Sequence, residues 1–122
     1  MRRAWRGLIL NLMVNSRLDA VFAALADPTR RAMVAAVAGG GPQTAGALAA
    51  PHAMSLPAAS KHLSVLTRAG LLTRERQGRH QLFSLNAEPF DDAVSWLEQH
   101  RRFWNDRLDA LDAYLAITEE KP

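Results

Sequence analysis

The stretch Met54-Ser55-Leu56-Pro57-Ala58-Ala59-Ser60-Lys61-His62-Leu63-Ser64-Val65-Leu66-Thr67-Arg68-Ala69-Gly70 decides the fold. Ser55 is a favourable helix N-cap, Pro57 is tolerated in the first turn, and Gly70 stops the helix after Arg68. At helical periodicity Ala59, His62, Leu63 and Leu66 fall on one side, facing a core. Pro57, Ala58, Ser60, Lys61, Ser64 and Arg68 fall towards the other side or its N-terminal end. That surface is short, polar and basic, and it contains no acid. A helix entering the major groove of a duplex needs small or hydroxyl side chains for close approach and cations for phosphates. Ser60 and Ser64 suit base edges, although hydroxyls discriminate weakly. Lys61 and Arg68 suit guanine edges or the backbone. An ordinary solvated helix face mixes in Glu or Asp, and this one does not.

Downstream of Gly70 the apolar period changes from 3.6 to about 2. Leu72 to Arg76 and His80 to Leu85 flank Gln77-Gly78-Arg79, which predicts a hairpin with Gly78 at a positive φ. Arg74, Arg76, Arg79 and His80 gather around its tip. A thin basic ribbon beside a basic helix suits the minor groove or flanking phosphates.

Upstream, three more helices are legible. Ser16 with Asp19 reads as a capping box opening a helix whose stripe is Leu18, Val21, Phe22 and Leu25. Asp27-Pro28 restarts the chain into a second helix, with Met33, Val34 and Val37 inward, ended by Gly39-Gly40-Gly41-Pro42. Thr44 caps a short third helix through Ala49, which Pro51 stops. The order helix, helix, helix, helix, hairpin, helix predicts a mainly α chain with a small β-hairpin. This α-α-α-α-β-β-α order is that of a winged helix-turn-helix.

The last helix, from about Phe90 to Ile117, carries a second signal. Phe90, Val94, Leu97, Trp104, Leu108, Leu111 and Leu115 form a heptad-like seam interrupted at Arg101, with Trp96, Phe103 and Tyr114 off it. Such a helix is about 42 Å long, more than a domain this small can cover. It is expected to pack on its own domain and on a second copy. Leu18 and Phe22 of the first helix join the seam residues in the predicted dimer interface. A two-fold dimer would match a near-palindromic site on double-stranded DNA.

The 122 residues fit one domain, and 48% hydrophobic with 22% charged residues is a globular composition. No cysteine is present, which removes disulfides, thiolate metal sites and thiol switches, and is compatible with a reducing cytoplasm. Charge is segregated. Residues 57–85 carry Lys61 and four arginines against Glu75, whereas residues 86–122 are net acidic. No stretch is long and apolar enough for a membrane span. Arg2, Arg3 and Arg6 before Leu8–Val14 loosely imitate a signal peptide. The apolar run is too short, however, and no small-residue cleavage site follows. Two readings of that segment stay open: an arm that packs on a neighbour, or an upstream extension with Met13 as the natural start. The expected organisation is an extension over 1–15, a DNA-binding core over 16–86, a dimerisation helix over 87–117 and a tail over 118–122.

Phe22-Ala23-Ala24-Leu25-Ala26-Asp27-Pro28-Thr29-Arg30-Arg31 resembles the opening signature of the ArsR/SmtB family of winged-helix repressors. The stretch Met54–Leu66, followed by Ala69-Gly70-Leu71-Leu72, resembles that family's recognition helix and the start of its wing. The resemblance covers roughly Ser16 to Leu115. It implies the family fold, a dimer through the first and last helices, and repression relieved by a signal. The family's thiolate site would fall near Gln43 to Leu48, where there is no Cys. Its site on the last helix is approached here only by Glu98 and His100. The sequence therefore predicts no metal and no other cofactor. Arg102–Leu115 resembles the cysteine-free members, which are often autorepressors, and this leaves the inducer open.

Other function classes fit these residues less well. An enzyme is not expected, because no nucleophile elbow, phosphate-binding loop or paired metal motif occurs. A protein-interaction module using the long helix without DNA, or a metal-responsive repressor, would each need the basic surface or the missing ligands explained away.

Overall fold

The computed structural model describes residues 16–119. The expected N-terminal extension and most of the tail lie outside the described residues. Helix α1 spans 16–25, α2 Pro28–Gly40, β1 Gln43–Thr44 and α3 Ala45–Ala49. A 3₁₀ turn covers Ala50–His52. Then come α4 Leu56–Arg68, β2 Leu72–Gln77, β3 His80–Leu85 and α5 Ala87–Glu119.

Each boundary has a local cause. Ser16, the first of the described residues, is helical, and the start of α1 suggested by its spacing to Asp19 falls at the edge of the described residues. The α1–α2 corner is braced in both directions. Asp27 accepts from the Arg30 backbone N–H at 3.0 Å and so caps α2. Arg30 donates back to the carbonyls of Ala24 (2.6 Å) and Ala23 (3.1 Å), and Arg31 to that of Leu25 (2.8 Å). The two arginines thus cap the end of α1, reaching the carbonyls of Ala24 and Leu25 and sharing that of Ala23 with the Ala26 N–H at 3.2 Å. Helix α2 runs three residues beyond Val37. Gly41, at φ 78°, turns the chain and donates its N–H to Val37.

The sheet has one more strand than the sequence suggests. Gln43 and Thr44 pair antiparallel with Phe83 and Leu82, giving the order β1-β3-β2. Two residues are too short for an alternating pattern to register, which is why this strand escapes sequence reading. The Gln43 amide also donates to the Ala36 carbonyl at 2.7 Å, tying the strand to α2.

One core unites these elements. Val21, Met33, Leu48, Leu63, Leu66, Leu71 and Leu72 are almost fully excluded from solvent, with Phe83 and Ala93 closing its edge. Ala93 is the last buried residue of α5; from Val94 to Ile117 every residue is exposed. Helix α5 has 33 residues, about 50 Å, so most of its length stands clear of the domain.

Candidate nucleic-acid interface

The presentation of α4 begins one element earlier. Thr44 caps α3 by accepting from Ala47 at 3.2 Å. The chain then tightens into the 3₁₀ turn and reverses at Ala53, which has a left-handed φ of 51°. This short turn sets α4 across α3. Ser55 accepts from the Ala58 N–H at 3.3 Å, so its hydroxyl is occupied as the cap of α4. Ala59, Leu63 and Leu66 anchor the helix in the core.

The opposite face of α4 is open. Pro57 and Lys61 are exposed there, Ala58 is half-buried, and Ser60, Lys61, Ser64 and Arg68 line one shallow depression. Val65 lies in the same depression. Sequence reasoning passed over it as one more apolar helix residue. Its signal was its place between Lys61 and Arg68, away from the buried stripe. An exposed valine there suits contact with a thymine methyl group.

His62 does not share the full burial of its stripe. It is half-buried, with Nδ1 3.8 Å from the Asp27 carboxylate. The Arg30 backbone N–H chiefly holds the Asp27 carboxyl below its usual pKa, helped by the charges of Arg30 and His62 against a smaller opposing effect of burial. Asp27 therefore joins the α1–α2 corner to the exposed helix.

In the wing, β2 pairs with β3 from Leu72↔Leu85 to Gln77↔His80, and Gly78 at φ 60° makes the tip. Side chains alternate across the ribbon. Leu72, Arg74, Arg76 and Phe83 share one face, and the Arg74 guanidinium lies 5.2 Å from the centre of the Phe83 ring. Glu75, Gln77 and His80 share the other. The four basic wing residues are therefore not one cluster. Arg74 and Arg76 share one face, Arg79 sits at the tip, and His80 stands on the reverse face with Glu75, the acid of the wing.

The predicted dimer residues divide as well. Leu18 is only 6% exposed and belongs to the core, so its assignment to the interface is corrected: its own chain already covers it. Phe22 and Phe90 are half-buried against the core, and Phe22 makes an edge contact with Trp96 at 5.5 Å. Val94, Leu97, Trp104, Leu108, Leu111 and Leu115 are 47–59% exposed. Among the described residues no three His, Asp or Glu side chains gather as a metal site, and His100 stacks on Trp96 at 3.9 Å. No helix among them is long and apolar enough to cross a membrane.

A short helix, a tight turn, a second helix with an acid-free basic face and a two-stranded basic wing define a winged helix-turn-helix DNA-binding regulator. A family model described as a helix-turn-helix domain matches residues 25–75. Over 80 residues the chain is 35% identical to the transcriptional repressor SdpR of Bacillus subtilis, an alignment covering 66% of this chain and 88% of that protein. An ArsR family transcriptional regulator of known crystal structure superimposes with TM-score 0.69 at 36% identity, over 75% of this chain and 93% of its own. An ArsR-like regulator from Rhodococcus gives TM-score 0.69 at 29% identity, over 82% and 93%. The chain belongs to the ArsR/SmtB family of winged helix-turn-helix transcriptional regulators.

Proposed function

We propose that the protein is a cytoplasmic transcriptional repressor that binds a near-palindromic operator as a homodimer. The observation that carries this reading is the outer face of α4, where Ser60, Lys61, Ser64 and Arg68 line one open depression with no acid on the helix. Placed in the major groove, the hydroxyls and Val65 meet base edges while Lys61 and Arg68 neutralise phosphates or reach guanine. Ser55, Pro57 and Ala58 bring the helix N-terminus close to the duplex. Arg74, Arg76 and Arg79 extend the footprint to the adjacent minor groove or backbone, and His80 contributes from the reverse face.

Dimerisation is supported by the exposed seam on α5. Six large apolar side chains lie along one helix beyond the last buried residue, an arrangement that a second copy would cover. In this reading residues 16–86 are the DNA-binding core and 87–117 the dimerisation helix, with no metal or other cofactor. Two recognition helices related by a two-fold axis would read half-sites about one helical turn apart.

The test is footprinting on the region upstream of the protein's own gene, with light scattering to count protomers. The expected result is a protected near-palindrome bound by a dimer. A monomer, or a protein equally indifferent to every duplex, would overturn the reading and favour a module that uses α5 to bind other proteins.

A further inference from the structure

The end of α4, the start of α5 and the first turns of α1 enclose a cavity of about 220 Å³. Leu18, Val21 and Pro89 give it an apolar wall, while Arg17 and Arg68 stand on its rim with Asp92. Its frame is fixed. Asn86 donates through Nδ2 to the Gly70 carbonyl at 2.8 Å and through its backbone N–H to that of Leu71 at 2.9 Å, closing the end of α4 onto the start of α5.

The charges on the rim are poorly matched. Arg17 lies 3.8 Å from Asp92 and 3.9 Å from Glu88, beyond hydrogen-bond length, and all three side chains are exposed. Such pairs bind weakly and leave the guanidinium free to turn. Among the described residues Arg68 has no side-chain hydrogen bond or ion pair. Two guanidiniums and two carboxylates, Asp92 and the adjacent Glu88, therefore meet beside an apolar wall. Because Arg17 is only loosely paired and Arg68 has no partner among the described residues, both guanidiniums stay open to a single negative charge on a small apolar body.

Arg68 also lines the DNA-facing depression of α4. One guanidinium thus borders both the groove-reading surface and the cavity. We infer that the cavity binds a small organic monoanion, a short aliphatic or aromatic carboxylate, and that the bound anion competes with DNA for Arg68. The competition rests on the DNA-binding reading above; the site itself does not. An anion clamped between Arg17 and Arg68 draws the Arg68 side chain off the phosphate backbone and places negative charge beneath the helix end.

The experiment uses the full chain with benzoate and hexanoate as probes, benzamide as the uncharged control, and ionic strength held constant with chloride. The first reading is the amide NMR spectrum of the free protein. Both carboxylates are expected to give saturable shifts at Gly70 and Asn86. Binding should be about tenfold weaker for benzamide, and for the carboxylates with Arg17→Gln, from loss of one charge-assisted contact. Arg17 lies outside the DNA-contacting surface, so this variant should retain operator binding. The second reading is operator affinity by fluorescence anisotropy. Saturating benzoate should weaken it about fivefold in the wild-type protein and leave Arg17→Gln unchanged.

Equal binding of benzamide, undiminished binding by Arg17→Gln, or no response to either carboxylate would overturn the site. Undiminished operator affinity with the site filled would overturn the competition. A protein that takes benzoate as described but retards no DNA would overturn the regulator reading together with the competition and leave the anion site standing.

Discussion

Helices α4 and α5 are both amphipathic, yet they leave opposite chemistry facing outward. Helix α4 buries its apolar stripe completely, with Ala59, Leu63 and Leu66 at zero exposure, and presents hydroxyls and cations. Helix α5 buries little beyond Ala93 and presents Trp104, Leu108 and Leu111. An exposed cationic face is stable in water and asks only for a polyanion. An exposed apolar seam of that length is costly alone, because each large side chain forgoes about 1–3 kcal/mol of burial. In the proposed reading the first helix reads the duplex and the second joins two copies, so that sequence recognition and assembly fall on different helices.

The sharpest way to break this contrast is to place charge on the seam. Leu108→Glu combined with Leu111→Glu should convert the dimer to a monomer by light scattering. Operator affinity should then fall by about a hundredfold or more, since the second half-site no longer binds intramolecularly. A double variant that remained dimeric would move the interface off this seam.

The reader should respond differently. Lys61→Ala and Arg68→Ala should each weaken operator binding about tenfold while leaving the protein dimeric and its urea midpoint unchanged. Salt dependence sharpens the same point. Affinity should fall steeply between low and moderate salt, and Arg76→Ala should reduce the slope of log affinity against log salt by about one per removed phosphate contact. An unchanged slope would take Arg76 off the backbone.

The smallest effect is expected at the corner that carries α4. The Asp27 carboxyl is held below its usual value near 3.8, chiefly by the Arg30 N–H. A lowered folded-state pKa contributes stability above the unfolded pKa and loses it as pH falls through the folded value. Asp27→Asn should therefore be less stable than the parent at neutral pH by urea titration, and the difference should shrink on acidification below that unfolded value. A pH-independent difference would attribute the role to the cap's shape rather than its charge.

Most of the fold was legible because its punctuation is local. Asp27-Pro28, Thr44, Ser55 and Gly70 mark boundaries through their own backbone chemistry, and the stripes of α2 and α4 are read directly from spacing. The proposed recognition surface could be assembled from sequence for the same reason, since helix and wing are contiguous in the chain. What escaped depended on distant partners. The pairing of Gln43 and Thr44 with β3 spans about forty residues of chain. The burial of Leu18 could not be separated from interface exposure on a helix whose two flanks are both apolar. Val65 was hidden because an apolar residue beside a core stripe looks like part of it. The division of the wing's cations between two faces follows from the β2–β3 register, which only the paired strands fix.

The braced corner between α1 and α2 has a mechanical consequence. Arg30 and Arg31 hold the end of α1 while Asp27 starts α2 and reaches towards His62 on α4. Little slack is left between the helix lying along α5 and the helix facing the duplex. In a dimer joined along α5, a small tilt where the two copies meet would therefore be passed to α4 and change the separation of the two helices proposed to face the duplex.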